Sequence, residues 1–301
     1  MPETQSHIGS EVSIAVCICT MSRPEDLQKA MRALADCSPR PEEIIVSDDS
    51  PDDDRRSEEL CTTFERARYT RGPRRGLSAN RNHAISIATS TWLHFIDDDV
   101  IVAENFYGLA RRLIERLEQP ALICGRERKY ASATDEPEVV VPIHCGLWAH
   151  MEPATDGNAN CTVINATLFP SELFASAAFD ERFRYGCEEA DITQQAIRLG
   201  YPLTEAPSLM VDHYPSQTNR STYTAWQGAS VVYAGLKRHY AYTSSPSKLF
   251  VFVTAGLARL LAHRTRHDGL PGAMQCLRGI GIGFKHFASY LFTRSARVRS
   301  R

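Results

Sequence analysis

The chain has 301 residues, a length that suits one large domain or two small ones. With 43% apolar and 23% charged residues it can bury a sizeable core, which excludes disordered and fibrous classes. The net charge of −2 conceals an asymmetry. Residues 247–301 hold ten Lys/Arg and one acid, Asp268, so an acidic body carries a basic tail of about +9. The opening residues, MPETQSHIGSEV, lack a basic or apolar leader, and nine cysteines are scattered without a CxxC pair or zinc spacing. Both features predict a cytoplasmic protein with reduced, mostly buried thiols.

Residues 12–20, VSIAVCICT, form a β-branched apolar run that predicts a buried strand. Ser22 is placed to cap the next helix, with Pro24 and Glu25 in its first turn. Leu27, Ala30, Met31 and Leu34 form that helix's apolar face. A second strand is expected over 43–47, then helix over 55–68, a short strand near Tyr69, helix over 77–88 and strand over 92–96. Helix over 104–117 and strand over 121–124 continue the alternation, which predicts an α/β fold with a largely parallel sheet. Residues 131–158 read as a long loop. Helix follows over 190–199, stopped by Gly200 and Pro202, then strand over 203–214. Helices are expected over 222–240, 247–263 and 271–292.

Ligands of open α/β sheets bind beyond the carboxyl ends of the strands. Three predicted strand ends carry distinctive residues: Thr20-Met-Ser-Arg23, Ser47-Asp-Asp-Ser50 and Asp97-Asp-Asp99. The glycine-rich dinucleotide and phosphate-loop motifs are absent, so phosphate must be held another way. Three adjacent carboxylates repel one another unless they are solvated or share a cation. Mg²⁺ or Mn²⁺ would bridge them to phosphate oxygens. An Asp cluster after a strand is also an ordinary turn-former. A second acidic cluster, Gly186-Cys-Glu-Glu-Ala-Asp191, opens a predicted helix, where the dipole favours acids in any case. Together the two clusters point to a metal–phosphate site with a carboxylate base nearby.

Five segments in order, VSIAVCICTMSRPEDLQKAMRAL, PEEIIVSDDSPDD, GLSANRNHAI, WLHFIDDDV and FDERFRYGCEEADITQQAIRLGY, resemble family 2 glycosyltransferases of the GT-A fold. The resemblance spans residues 12–214. It implies a nucleotide-sugar-binding catalytic domain over 1–215, followed by a basic helical region over 216–301. It also implies a metal-dependent, inverting transfer of sugar to an acceptor hydroxyl in polysaccharide or glycolipid biosynthesis. By this resemblance Thr20 and Arg23 approach the nucleotide, and Asp49, in preference to Asp48, contacts its base. Arg81 or Asn82 contacts the donor, with bracing of the turn as the competing role. Asp97 contacts the donor and joins Asp99 in the metal set, while Asp98 takes either role or orients its neighbours. His213, in MVDHYPS, supplies a third metal ligand, with Asp212 next in line.

The second cluster departs from the family pattern: Cys187 precedes the acids and Glu stands where Asp is usual. Aligned on its acids, Glu189 is the general base and Glu188 the alternative. Asp191 braces the helix or the acceptor. Trp148 and Asn165 fall on the acceptor side, although core packing competes for Trp148.

The basic tail has two apolar stretches, both too short or too charged to span a bilayer of about 20 helical residues. An interfacial placement puts Phe284, Phe287, Tyr290 and Leu291 toward lipid and Arg and Lys toward anionic headgroups on the cytoplasmic face. The alternative is ordinary helices packed on the catalytic domain. The partners expected are a nucleotide sugar, a glycan or lipid-linked acceptor and an anionic membrane surface, with no nucleic acid. Two other classes compete. A nucleotidyltransferase would want a basic Gly-rich loop where TMSRPEDL stands, and a non-catalytic membrane-attached binding protein would not need intact acidic clusters.

Overall fold

A computed structural model describes residues 11–132, 136–145, 151–154, 157–216 and 220–299. In chain order the first half runs β1 (Ile14–Thr20), α1 (Pro24–Asp36), β2 (Glu43–Asp48), α2 (Arg56–Cys61), β3 (Ala67–Arg71), α3 (Leu77–Ile85), β4 (Trp92–Asp97), β5 (Val100–Val102), α4 (Phe106–Ile114) and β6 (Leu122–Lys129). The second half runs β7 (Glu138–Val140), β8 (Ile143–Cys145), β9 (Met151–Pro153), β10 (Thr167–Pro170), α5 (Glu188–Arg198), β11 (Leu203–His213), α6 (Arg220–Lys237), α7 (Pro246–Val251) and α8 (Leu257–Arg299).

The main sheet has the order β3-β2-β1-β4-β10-β6-β11-β5, with β7 added at β6. β1 to β4 are mutually parallel, and β6 pairs parallel with β11. β10, β5 and β7 run antiparallel to their neighbours. All seven residues of β1 are buried, because both sheet faces are covered. Ile14, Val16 and Ile18 point to the face packed by α1 and α4, through Leu27, Met31, Leu34, Phe106 and Ala110. Ala15 and Cys17 point to the other face, packed by α3 and α5 through Ala84, Ile192 and Ala196. Each fully buried side chain of Leu, Ile or Met size contributes about 1.5–3 kcal/mol. Successive elements β2 and β4 lie on opposite sides of β1, so chain order reverses there and opens a crevice at the strand ends.

Several boundaries differ from the sequence reading for identifiable reasons. Ser22 does not cap α1: it adopts φ 55° and gives its N–H to Ser50 Oγ at 2.7 Å, leaving Arg23 at the cap position. The helix expected over 55–68 ends at Cys61. Thr62 and Thr63 hydroxyls bond back to the Glu59 and Leu60 carbonyls, and Arg66 turns to φ 64°. The supposed loop over 131–158 contains β7, β8 and β9, each too short to leave a periodic signal. β10, a central strand, had been missed. The two tail helices expected over 247–263 and 271–292 are present: helical backbone runs on from α7 through a π-helical turn at Phe252–Gly256 into α8, and α8 breaks at Gly269 (φ 65°), just before Pro271. All nine cysteines are free and buried.

α6 and α8 pack on each other, with Val232 and Leu236 of α6 against Phe252 and Leu257. Among the described residues, no helix is long and apolar enough to cross a membrane.

Candidate active site

The strand register assembles the site. Cys19 pairs with Asp97, and Thr20 pairs with Asp48, so three strand ends meet at one edge. They frame a cleft of about 320 Å³ whose lining includes Thr20, Arg23, Asp49, Asp97, Asp98 and Asp99. Beyond Asp97 the chain turns at once into β5, which pairs with β11 so that Val100 faces His213. That pairing carries His213 into the same cleft, although 114 residues separate it from Asp99.

The three adjacent acids have different surroundings. Asp98 is buried, accepts from Thr20 Oγ1 at 2.7 Å and pairs with Arg23 at 3.1 Å. Burial pushes its carboxyl up to about 7 against the pull of Arg23. Asp97 is partly exposed and meets Arg81 at 3.3 Å, and burial raises its carboxyl despite that partner. Asp99 takes an N–H from Ser216 at 2.8 Å and faces His213 Nε2 at 3.1 Å. Burial works to raise it, but His213 outweighs burial and holds it low.

Asp97, Asp99 and His213 can each aim one ligand atom so that all three lie within 4.8 Å of one another. Two carboxylates and an imidazole suit Mn²⁺ or Mg²⁺. The rest of the imidazole fits the same purpose. His213 Nδ1 lies 2.6 Å from Glu127 Oε1, leaving Nε2 toward the acids, and a carboxylate behind a histidine orients it for a metal. Burial pulls the histidine down, but Asp99 and Glu127 outweigh it and raise it to about 10.

A relay of buried hydrogen bonds braces this group. Asn165 Oδ1 accepts the Asp97 N–H at 3.0 Å, and its Nδ2 donates to Glu127 Oε2 at 2.9 Å. Asn165 is 3% exposed, with its side chain engaged between Asp97 and Glu127. Asp49 lines the cleft and accepts the Arg74 N–H at 2.9 Å, whereas Asp48 is fully buried on Ser50 and Tyr69. Gly72 is forced by this corner: a Cβ there would stand 2.2 Å from Asp49 Oδ1 and 2.6 Å from Asn80 Oδ1.

Arg81 is buried behind the cleft and links the two acidic clusters. It donates to Asp97 at 3.3 Å and to Glu188 at 2.8 Å, and lies over the Phe179 ring. Asn82 instead bonds the Phe179 backbone, its Nδ2 donating at 2.8 Å and its Oδ1 accepting at 3.0 Å. Gly186 (φ 82°) and Cys187 (φ 67°) turn the chain sharply into α5. Glu188 is buried, and its second oxygen, Oε2, has no hydrogen-bond partner among the described residues. Glu189 lines a second cavity of about 350 Å³ with Gly186, Gln227, Leu260, Arg264 and Gln275. Burial and the neighbouring Glu188 raise its carboxyl to about 8. The two cavities have adjacent walls: Tyr185 and Trp226 line the first, Gly186 and Gln227 the second. Asp191 points away, accepting from Lys237 at 2.9 Å and Tyr242 at 2.6 Å. Trp148 lies outside the described residues.

The sequence reading overlooked Glu127, Asn80, Arg74, Arg184 and Trp226. Arg184 stacks on Trp226 at 4.5 Å, and both line the cleft. Glu127 and Trp226 carry no local signal, because distant pairing alone brings them in. Asn80 lies within the GLSANRNHAI segment and Arg74 just before it, so both stood beside residues already singled out.

A mostly parallel sheet with acids converging at its switch point defines a GT-A architecture. The same fold is found in S. aureus TarS, at a TM-score of 0.58 and 13% identity, over 91% of this chain and 49% of that chain. This chain thus spans about half the length of that protein. The TarS 1-349 structure matches at a TM-score of 0.58 and 12% identity, over 94% of this chain and 92% of that one. Comparison with curated proteins found no match. Residues 15–156, just under half of the chain, match the model of glycosyl transferase family 2.

Proposed function

We propose that the protein moves a sugar from a nucleoside-diphosphate sugar to an acceptor hydroxyl, with inversion at the anomeric carbon. The observation that carries this reading is the adjacency of two cavities: one lined by strand-end acids and arginines, the other by a carboxylate held near neutrality.

Asp49 receives the nucleotide base, and Thr20 and Arg23 lie along the nucleotide. Arg74 and Arg184 line the same cleft, where they would meet the diphosphate charge. Asp97 contacts the ribose or sugar, while Asp98, bound to Thr20 and Arg23, fixes the turn. A divalent cation held by Asp97, Asp99 and His213 would offset negative charge on the departing diphosphate. Glu189 takes the proton from the acceptor hydroxyl. That oxygen forms the new bond to the anomeric carbon as the bond to the diphosphate breaks, and the nucleoside diphosphate leaves with the electron pair. Glu189 is favoured over Glu188 because a base poised near working pH is most effective, and Glu188 is already paired with Arg81.

Residues 1–215 hold the donor and the chemistry in this reading. Residues 216–301 form a helical unit that walls the acceptor side through α6 and α8. The acceptor is a glycan or lipid-linked hydroxyl, in polysaccharide or glycolipid synthesis, and the basic tail rests against an anionic membrane surface.

The test is a panel of nucleotide sugars with Mn²⁺, Mg²⁺ or chelator. One donor at a hundred times its Kd should stabilise the fold by about 2.7 kcal/mol, only with metal, and should support sugar transfer to an added acceptor. Stabilisation that ignores metal would remove the cation from the scheme. No response to any donor would overturn the reading.

A further inference from the structure

Beyond the break at Gly269, α8 docks on α6 through glycines. A Cβ on Gly283 would stand 2.7 Å from Val232 Cγ1, and one on Gly279 would stand 3.2 Å from the Gly228 carbonyl carbon. Only bare backbone permits that approach, so the rotation of α8 about its axis is fixed. Phe287 and Tyr290 turn inward, into apolar clusters with residues of α6. The sequence reading had placed both toward lipid.

The face left outside is apolar. Leu270, Met274, Leu277, Gly281, Phe284 and Ala288 alternate four and three residues apart and are all exposed. Leu270 is 72% exposed, Met274 64% and Leu277 55%. At 100° per residue the six positions fall within an arc of roughly 80°, and they extend for roughly 27 Å along the helix. Scattered exposed apolar residues are ordinary, but a continuous row marks an interaction surface.

Charge decides what covers the row. After Asp268 the chain carries six Arg/Lys and no acidic residue. Arg278 and Lys285 are exposed and border the row along one side. A second copy would bring cations against cations, with no carboxylate on this part of the helix to pair them. Anionic headgroups pair them directly.

We propose that the outer face of α8 is an in-plane membrane-docking surface. The row from Leu270 to Ala288 enters the acyl boundary, and Arg278 and Lys285 meet anionic headgroups. The inference rests on the membrane contact proposed above and specifies which face makes it. Gln275 and Cys276, on the side of the same helix away from the row, line the cavity beside Glu189, so docking would hold that cavity about one helix diameter, roughly 10 Å, from the lipid boundary.

The full chain is floated with neutral phosphatidylcholine vesicles and with vesicles containing about one-third phosphatidylglycerol. It should bind the anionic vesicles at least tenfold better. Met274→Glu/Leu277→Glu should lose at least tenfold in that binding with an unchanged melting temperature, since these side chains are 64% and 55% exposed. Arg278→Gln/Lys285→Gln should weaken binding by about tenfold or more and flatten its salt dependence. If the chain binds and the Glu double variant binds equally well, this face is not the docking surface, although membrane contact stands. If the chain binds neither vesicle, both readings fail. A dimer that the Glu double variant dissociates would assign the row to a second copy and overturn the proposal.

Discussion

Replacing Glu189 by Gln should stabilise the protein while disabling it. Glu189 is held near 8, against an ordinary value of 4.5, by burial and by Glu188 beside it. Between those two values the unfolded chain has released a proton that the folded chain retains. Stability therefore falls as pH rises from 4.5 to 8, by about 1.4 kcal/mol for each pH unit at full effect. Solvent reaches the partly exposed carboxylate and screens part of this cost, so the expected gain for Glu189→Gln is about 2–4 kcal/mol at pH 8. Below pH 4.5 both states bind the proton and the gain should vanish. For a chain of this length the gain corresponds to a rise of about 4–8 °C in Tm. Thermal unfolding of both proteins at pH 4.5, 6 and 8 measures it, and sugar transfer measured alongside should fall 10²–10⁴-fold, roughly the share of a general base. Equal stability differences at pH 4.5 and 8 would refute the electrostatic argument. Turnover within tenfold of the parent would refute the assignment of the base.

Gly72→Ala should raise the KM for the donor with a smaller effect on kcat, because its Cβ would push Asp49 and Asn80 out of the cleft; initial-rate kinetics against donor concentration would detect this. Lys237→Met should cost about 3–5 kcal/mol, read by denaturant unfolding, since it leaves Asp180 and Asp191 buried without their shared cation. Glu127→Gln should lower affinity for Mn²⁺ by about 10–100-fold in a metal titration, with donor-free stability changed less, because it weakens the partner that orients His213.

Much of the site was legible in the sequence because strand ends are local features. The apolar run of β1 and the acids after β2 and β4 announce themselves, and the parallel alternation brings those ends to one edge. Asp49 lines the cleft while Asp48 is buried, since successive residues at a strand end point to opposite sides. Asn82 and Asn165 have side chains engaged in bracing, and no local pattern separates a bracing Asn from a ligand-facing one. The amphipathic character of α8 was legible, but its period alone could not say which apolar residues turn inward.

The sequence by itself determined the α/β class, the acidic strand ends and the basic tail, all consequences of periodicity and composition. Only the tertiary structure decided that Glu127 stands behind His213, that Arg81 ties the two acidic clusters together, and that Glu189 faces a cavity walled by α6 and α8. Each of those depends on pairing between segments distant in the chain. Such pairing is set by register and by packing of whole surfaces, and no short stretch of residues contains it.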